Sequence, residues 1–258
     1  MVRLLFLSIF LVVAAFAAPG PIVLYEFDEN TGSQVIDSSG VKPPANLDIP
    51  DQGALRRESG SLTLLRPVLL SSKSPPAKLI NAIKRSGEVT ISAWITPANL
   101  SQSGPARIVT ISRDSSNRNV TLGQDKTNFD ARFRTEKTGV NGIPSLSSGK
   151  VVTKRIHVVF TRSKNGIGTM FINGYKNGER SFPGPPGNWD SNFRIALGNE
   201  LTNDRPWLGT FHQVAIYSQA LAAAEVAKLF KNGLAPPKPE APEDRSRALF
   251  INNVEPIL

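Results

Sequence analysis

The chain has no cysteine among its 258 residues. That excludes disulfides, zinc–thiolate sites, c-type haem attachment and a lipidated cysteine, so the folded part must stand on its apolar core. Histidine is nearly as scarce: His157 and His212 are the only two, each alone in a strand-like run and neither in an HExxH pair. There is no GxSxG and no Walker motif. Gly166-Ile167-Gly168 begins like a dinucleotide-binding GxGxxG, but it lacks the third glycine and sits in a turn between strands rather than before a helix. A net charge of +9 would suit an anionic polysaccharide, a membrane surface or nucleic acid. No dense Lys/Arg block accompanies it, so the balance reads as a solvated basic surface, with no nucleic-acid partner expected. No apolar run reaches the roughly 18–20 residues that a membrane span needs.

What the N-terminus does have is a targeting pattern, MVRLLFLSIFLVVAAFAAPG. Arg3 supplies the positive charge, Leu4 to Phe16 the apolar run and Ala15-Phe16-Ala17 the small-x-small site of a secretory signal peptide. Cleavage is expected after Ala17, because cutting after Ala18 would leave Pro19 at the new terminus. The expected organisation is a signal peptide at 1–17, one domain at 18–233, a proline- and charge-rich linker at 234–247 and a short apolar tail at 248–258. The product is expected to be exported, periplasmic or extracellular in a bacterium, with no stable membrane span after cleavage.

The stretch KRIHVVFTRSKNGIGTMFINGYKNGER organises the domain. Ile156, Val158 and Phe160 fall on one face of a first strand and His157, Val159 and Thr161 on the other. Met170 and Ile172 share a face of a second strand, Ile167 to Ile172. The Asn-Gly steps at 165–166, 173–174 and 177–178 are strong hairpin signals. Strands apolar at most positions need cover on at least one face, so the pair reads as the middle of a packed antiparallel sheet. Pro21 to Asp28 reads as a first strand, 41–60 as irregular, and Ala77 to Ser86 as a short amphipathic helix stopped by Gly87. Glu88 to Thr96 alternates, with Val89, Ile91, Ala93 and Ile95 opposite Thr90, Ser92, Trp94 and Thr96. Short strands continue at 107–112, 119–123, 129–135, 193–197 and 207–217, and a closing helix at 220–232 ends at Gly233.

Several segments together resemble the LamG-like jelly rolls of the concanavalin A-like lectin/glucanase superfamily. LYEFDENTGSQVIDSSG is similar to that family's first strand and turn, VTISAWITP to its central strand, HVVFTRSKNGIGTMFINGYKNG to its signature hairpin and WLGTFHQVAIYSQALAAAEVAKLFKNG to its last strand and closing helix. The resemblance implies an all-β, two-sheet antiparallel jelly-roll sandwich with two short peripheral helices. SRDSSNRNVTLGQD, NGIPSLSSG and ALGNELTNDRPWLGTFH resemble a subgroup found in large exported bacterial proteins, notably of planctomycetes, where the jelly roll often precedes a cytochrome c-type domain. On that likeness ALFINNVEPIL is the lead-in to a further domain. The other reading of this tail is a docking helix or a disordered end.

Retaining glycosidases of the superfamily need a Glu-x-Asp-x-Glu strand, because period 2 puts all three carboxylates on one face. Glu26-Phe27-Asp28-Glu29 misses it, since Glu29 follows Asp28 directly and points the other way. No catalytic residue is assigned and no enzyme is expected. The resemblance implies Asp37 in the first turn as a Ca²⁺ ligand. Its usual acidic partner early in the last strand is replaced here by His212 and Gln213, and imidazole is a poor ligand for a hard cation. Binding of a glycan or an envelope protein would call on aromatic platforms and polar loops. The candidates are Trp189 and Asp190, then Asn199, Asn203, Asp204, Arg205 and Trp207, and a second polar loop with Arg113, Asp114 and Arg118. Trp94 is expected in the core, and Trp189, beside Gly187 and Asp190, is left open between core and surface. The alternative to a glycan or protein binder is a structural domain serving an adjacent cytochrome c-type or hydrolytic domain.

Overall fold

A computed structural model describes residues 20–234. The expected signal peptide, the tail and all but the first residue of the linker lie outside the described residues. The chain forms β1 (Val23–Tyr25), β2 (Gln34–Val35), β3 (Leu47–Asp48), β4 (Leu55–Glu58), β5 (Ser61–Leu64) and β6 (Leu70–Ser72). Helix α1 (Ala77–Ser86) follows, then β7 (Val89–Pro97), β8 (Ala106–Asp114), β9 (Asn117–Asp125), β10 (Asn128–Phe133) and β11 (Leu146–Ser148). The last third holds β12 (Ile156–Arg162), β13 (Ile167–Ile172), β14 (Tyr175–Ser181), β15 (Arg194–Leu197), β16 (Gly209–Tyr217) and α2 (Ala223–Asn232).

These strands make two antiparallel eight-stranded sheets. Sheet A runs β14-β13-β12-β7-β16-β5-β4, with β1 also paired to β16. Sheet B runs β11-β10-β9-β8-β15-β6-β3-β2. Alternation decides what lies between them. Val89, Ile91, Ala93 and Ile95 of β7 meet Val109, Ile111, Val120, Leu122, Ile195 and Leu197 of sheet B in one buried core. Fully burying each of these valines, leucines and isoleucines contributes roughly 1.5–3 kcal/mol, which is how the sandwich stands without disulfides. Helix α1 adds Leu79, Ile80 and Ile83 to the same core, and Gly87, at φ 72°, ends it by donating its N–H to Ile83 O.

The outer face of sheet A is also covered. Val159, Phe171, Ala215 and Tyr217 form a second, smaller cluster with Leu221 and Val226. Phe230 of α2 stacks on Trp94 at 5.7 Å, and Trp94 stacks on His157 at 4.5 Å. His157 Nε2 is 2.8 Å from Ser92 Oγ and His212 Nε2 is 2.9 Å from Thr96 Oγ1, so both histidines are tied to a neighbouring strand.

Two expectations are corrected. Residues 41–60 are not all irregular, since β3 adds a short strand between β6 and β2 and β4 a short edge strand. Asn177-Gly178 is not a turn: Met170 pairs with Gly178 but Phe171 with Lys176, so Asn177 is the extra residue of a bulge in β14. Gly178 is where this edge approaches sheet B, because a Cβ there would lie 2.3 Å from Ser148 Oγ.

Candidate binding face on the outer side of sheet B

Loops, rather than a helix, overlie the outer face of sheet B. Its chemistry is set by which side chains the strands turn outward. Across β10, β9 and β8 the register aligns Arg132, Thr121 and Thr110, and one step along Asp130, Gly123 and Arg107. Across β9, β8 and β15 it aligns Arg118, Ser112 and Arg194. Strict alternation from Val120 and Leu122 would turn Arg118 into the core. Ile111 pairs with Val120 but Ser112 with Arg118, so Asn119 is an extra residue and the bulge re-aims Arg118 outward.

The segments around 140 and 200 fold over this face. Arg118 N donates to Val140 O at 3.0 Å and Arg132 Nη1 to Asn141 Oδ1 at 3.3 Å. Glu200 reaches down into it, its Oε2 accepting from Arg107 Nε at 2.8 Å and its Oε1 from Ser112 Oγ and Leu201 N. Arg132 Nε lies 3.2 Å from Asp130 Oδ1, and the Thr110 and Thr121 hydroxyls are 2.9 Å apart. Arg107, Arg118 and Glu200 are wholly buried. Burial first, then repulsion from Arg107 and Arg132, pulls Arg118 down to about 9, which still leaves it a cation at neutral pH. At one end the face opens into a cleft of about 370 Å³ lined by Ser112, Arg113, Asp190, Asn192, Arg194 and Leu201.

The sequence candidates fall into three groups. Arg113 and Asp190 line the cleft, and Arg118 stands in the row behind it. Asp114, Asn199, Asn203, Asp204 and Arg205 shape the surrounding turns. Asp114 Oδ1 accepts from Ser116 N and Asn117 N, both at 2.8 Å, and its pKa falls to about 2 because burial is outweighed by the Asn117 side-chain amide, these backbone donors and Arg113. Asn199 Oδ1 accepts from Glu200 N and Arg205 N, Asn203 takes φ 59°, and Asp204 pairs with Arg205 at 3.0 Å. The third group is a correction. Trp189 and Trp207 are not surface platforms: both are buried, and their Nε1 groups donate to Arg134 O at 2.8 Å and Gln124 Oε1 at 3.0 Å. A ring edge hydrogen-bonded inward leaves no face for a sugar. The supposed second polar loop is also corrected: it is a β-hairpin, Asp114 pairing with Asn117 so that only Ser115 and Ser116 form the turn.

Sequence reasoning missed Arg107, Ser112, Asp130, Arg132, Asn192, Arg194 and Glu200. Asp130, Arg132 and Arg194 carried a signal, being charged residues inside otherwise apolar strands at the parity opposite the inward-facing residues. Arg107 shares the parity of Val109 and Ile111 and is turned outward by a bulge, and Asn192 and Glu200 lie outside the strands. Asp37 lies elsewhere, in the first turn. Its Oδ1 accepts from Leu24 N and Ser39 N, both at 3.1 Å. Its Oδ2 takes Ala45 N at 2.9 Å and the Lys78 ammonium at 2.5 Å. An ammonium therefore stands where a cation would meet this carboxylate, and no group of three or more His, Cys, Asp or Glu that could hold a metal is found among the described residues.

Two covered antiparallel sheets, with a polar face opposite a helix-covered one, define a lectin-like jelly-roll sandwich. The chain belongs to the concanavalin A-like lectin/glucanases superfamily, residues 72–227 matching the Laminin_G_3 family. None of the curated proteins matches it. Similar solved structures include the botulinum neurotoxin type G receptor binding domain, 13% identical with a TM-score of 0.59, covering 83% of this chain and 51% of that one. The binding domain of Paraclostridial mosquitocidal protein 1 is 17% identical, with a TM-score of 0.59 and coverage of 83% and 52%. A Trypanosoma rangeli sialidase in complex with sialic acid is 15% identical, with a TM-score of 0.57 and coverage of 84% and 33%. The chain spans about half the length of the toxin domains and a third of the sialidase, and at such identities the likeness is one of fold.

Proposed function

We propose that the chain is an exported, non-catalytic module that recognises a carbohydrate in the cleft at the end of sheet B's outer face. The observation that carries this is the convergence of polar groups on one opening: Ser112, Arg113 and Arg194 from strands, with Asp190 and Asn192 from the segment before β15. Strand-borne groups are held in place before the ligand arrives, so little ordering entropy is lost on binding. Recognition rests on hydrogen bonds, since Trp189 and Trp207 are buried and Phe193, the aromatic on the cleft wall, is only 4% exposed. Support for a non-catalytic role comes from the carboxylates: both oxygens of Glu200 are taken by donors and Asp130 is held by Arg132, so Asp190 stands on the cleft wall without the second carboxyl that glycoside hydrolysis pairs with the first. Support for export comes from the N-terminal targeting pattern. The test is a glycan array probed with and without Ca²⁺. Bound glycans that are lost when Arg113 and Asp190 are both changed to Ala support the reading; an array with no bound glycan sinks it.

A protein partner at the cell envelope is the second reading. It is favoured by Val140 and Ile143, each 49% exposed on the segment that reaches over the same face. Association with the product of a neighbouring gene, abolished by Val140→Ser with Ile143→Ser, would support it over a glycan.

A further inference from the structure

The charges on the outer face of sheet B do not cancel. Glu200 neutralises Arg107 at 2.8 Å and Asp130 faces Arg132 at 3.2 Å. Arg118 and Arg194 pair with no carboxylate among the described residues. Arg118 donates through Nη2 to Ser115 O, and Arg194 through Nη1 to Ser72 O at a long 3.4 Å. Nε and Nη1 of Arg118 and Nη2 of Arg107 are buried with no hydrogen-bond partner in the protein. These buried guanidinium groups keep their positive charge behind the wall of the cleft, where little water screens it.

We propose that the cleft binds an acidic sugar, seating its carboxylate or sulfate beside Arg194 and over Ser112, in front of Arg118. This rests on the reading of the cleft as a glycan site and names the class of glycan. Arg118, Ser112 and Arg194 are in register on three adjacent strands, so their Cα atoms span about 10 Å, the width of a sugar ring with one charged substituent. Arg194 and Arg113 line the opening and meet the oxyanion directly, above the Ser112 hydroxyl, which itself donates to Glu200 Oε1. A guanidinium offers two parallel donors to two oxygens of one acidic group, which neutral hydroxyls do not match as well. Arg118 lies one strand further in and out of solvent contact. Its contribution is a positive potential that water screens little. Asp190 is the one acid on the wall, and its Oδ1 already accepts from Asn192 N at 2.9 Å.

A second basic cleft, lined by Lys84, Arg85, Arg162 and Lys164, is the natural rival. Arg162 Nε there is also buried without a partner, but the other donors of its cations are accounted for. Arg162 donates to Gly87 O, Phe182 O and Gly184 O, Lys84 to Trp189 O, and Lys84 and Arg85 sit in the last turn of α1, where helix carbonyls attract cations.

The experiment is titration calorimetry of the full chain with three oligosaccharides of equal length, one neutral, one carrying uronic acid and one sulfated. The acidic ligands are expected to bind at least about tenfold more tightly than the neutral one, the worth of a charge-assisted hydrogen bond. That preference should shrink as salt is raised. The two acidic arms show whether carboxylate or sulfate is the better fit. Arg118→Gln is buried enough to disturb folding, so the deciding variant is Arg194→Gln. It should erase most of the acidic preference without moving the melting temperature, and Arg194→Lys should restore part of it. Equal affinity for neutral and acidic ligands overturns this inference and leaves the glycan reading standing. No binding to any of the three overturns both. An acidic preference untouched by Arg194→Gln but lost in Lys164→Gln places the site in the rival cleft and overturns the assignment.

Discussion

Lys78 Nζ lies 2.5 Å from Asp37 Oδ2, 3.3 Å from Ser39 Oγ and within reach of the Val41 carbonyl, so one ammonium ties α1 to the first turn. Burial pushes the Asp37 carboxyl up, but Lys78 and the donors around it outweigh that and hold it below its ordinary value. Lys78→Met strands a buried carboxylate and should cost about 3–5 kcal/mol in urea unfolding at pH 7. A depressed carboxylate stabilises the fold fully above its unfolded pKa, and that contribution is lost as pH falls through the lower folded value. The gap between Lys78→Met and the parent chain should therefore hold near neutrality and close in acid; a gap that persists at pH 2 would contradict this. His157 acts in the same direction but in a higher pH window. Burial lowers it to about 4, so below its ordinary 6.5 the unfolded chain takes up a proton that the folded chain refuses. Stability should fall as pH drops from about 6.5 towards 4. His157→Gln should flatten that slope only in part, because His212 is likewise depressed to about 4.

The β12–β13 hairpin owes its shape to two glycines with different duties. Gly166 takes φ 87° in the turn and donates its N–H to Ser163 O at 2.8 Å. Gly168 needs no unusual φ, but a Cβ there would lie 2.5 Å from the Phe182 ring, which is fully buried and has nowhere to swing. Gly168→Ala should cost about 1–3 kcal/mol through overpacking alone, measurable as a shift in urea midpoint at unchanged m-value. Elements of this kind were legible in the sequence because period and punctuation agree. β7 alternates along its length, α1 stops at a left-handed Gly87, and the Asn-Gly steps at 165 and 173 mark the hairpin ends. Bulges were not legible. Asn177 and Asn119 look like turn and strand residues, and only the partner strand reveals that each is one residue too many.

For the whole molecule, the class of fold could be read from strand order and the polar face could not. Arg107, Arg132 and Arg194 are separated by up to 87 positions and come together only because β10, β9, β8 and β15 lie side by side. Glu200 gave no signal at all, since its role depends on a loop that folds back onto a strand some 90 residues earlier. The tryptophans erred the other way: Trp189 and Trp207 sit in polar, glycine-bordered segments that suggest exposure, yet the 189 indole packs at 5.1 Å from Phe133 and the 207 indole at 4.8 Å from Phe211.

Both ends of the described chain meet on one side. Ile22 N donates to Ile216 O, and Leu24 packs against the same small cluster as Val226 and Leu229 of α2. That cluster lies on the outer side of sheet A, with the whole thickness of the sandwich between it and the cleft. A tether joined at either end would pull on the outer side of sheet A, so on the proposed reading load and ligand would fall on opposite sides of the sandwich.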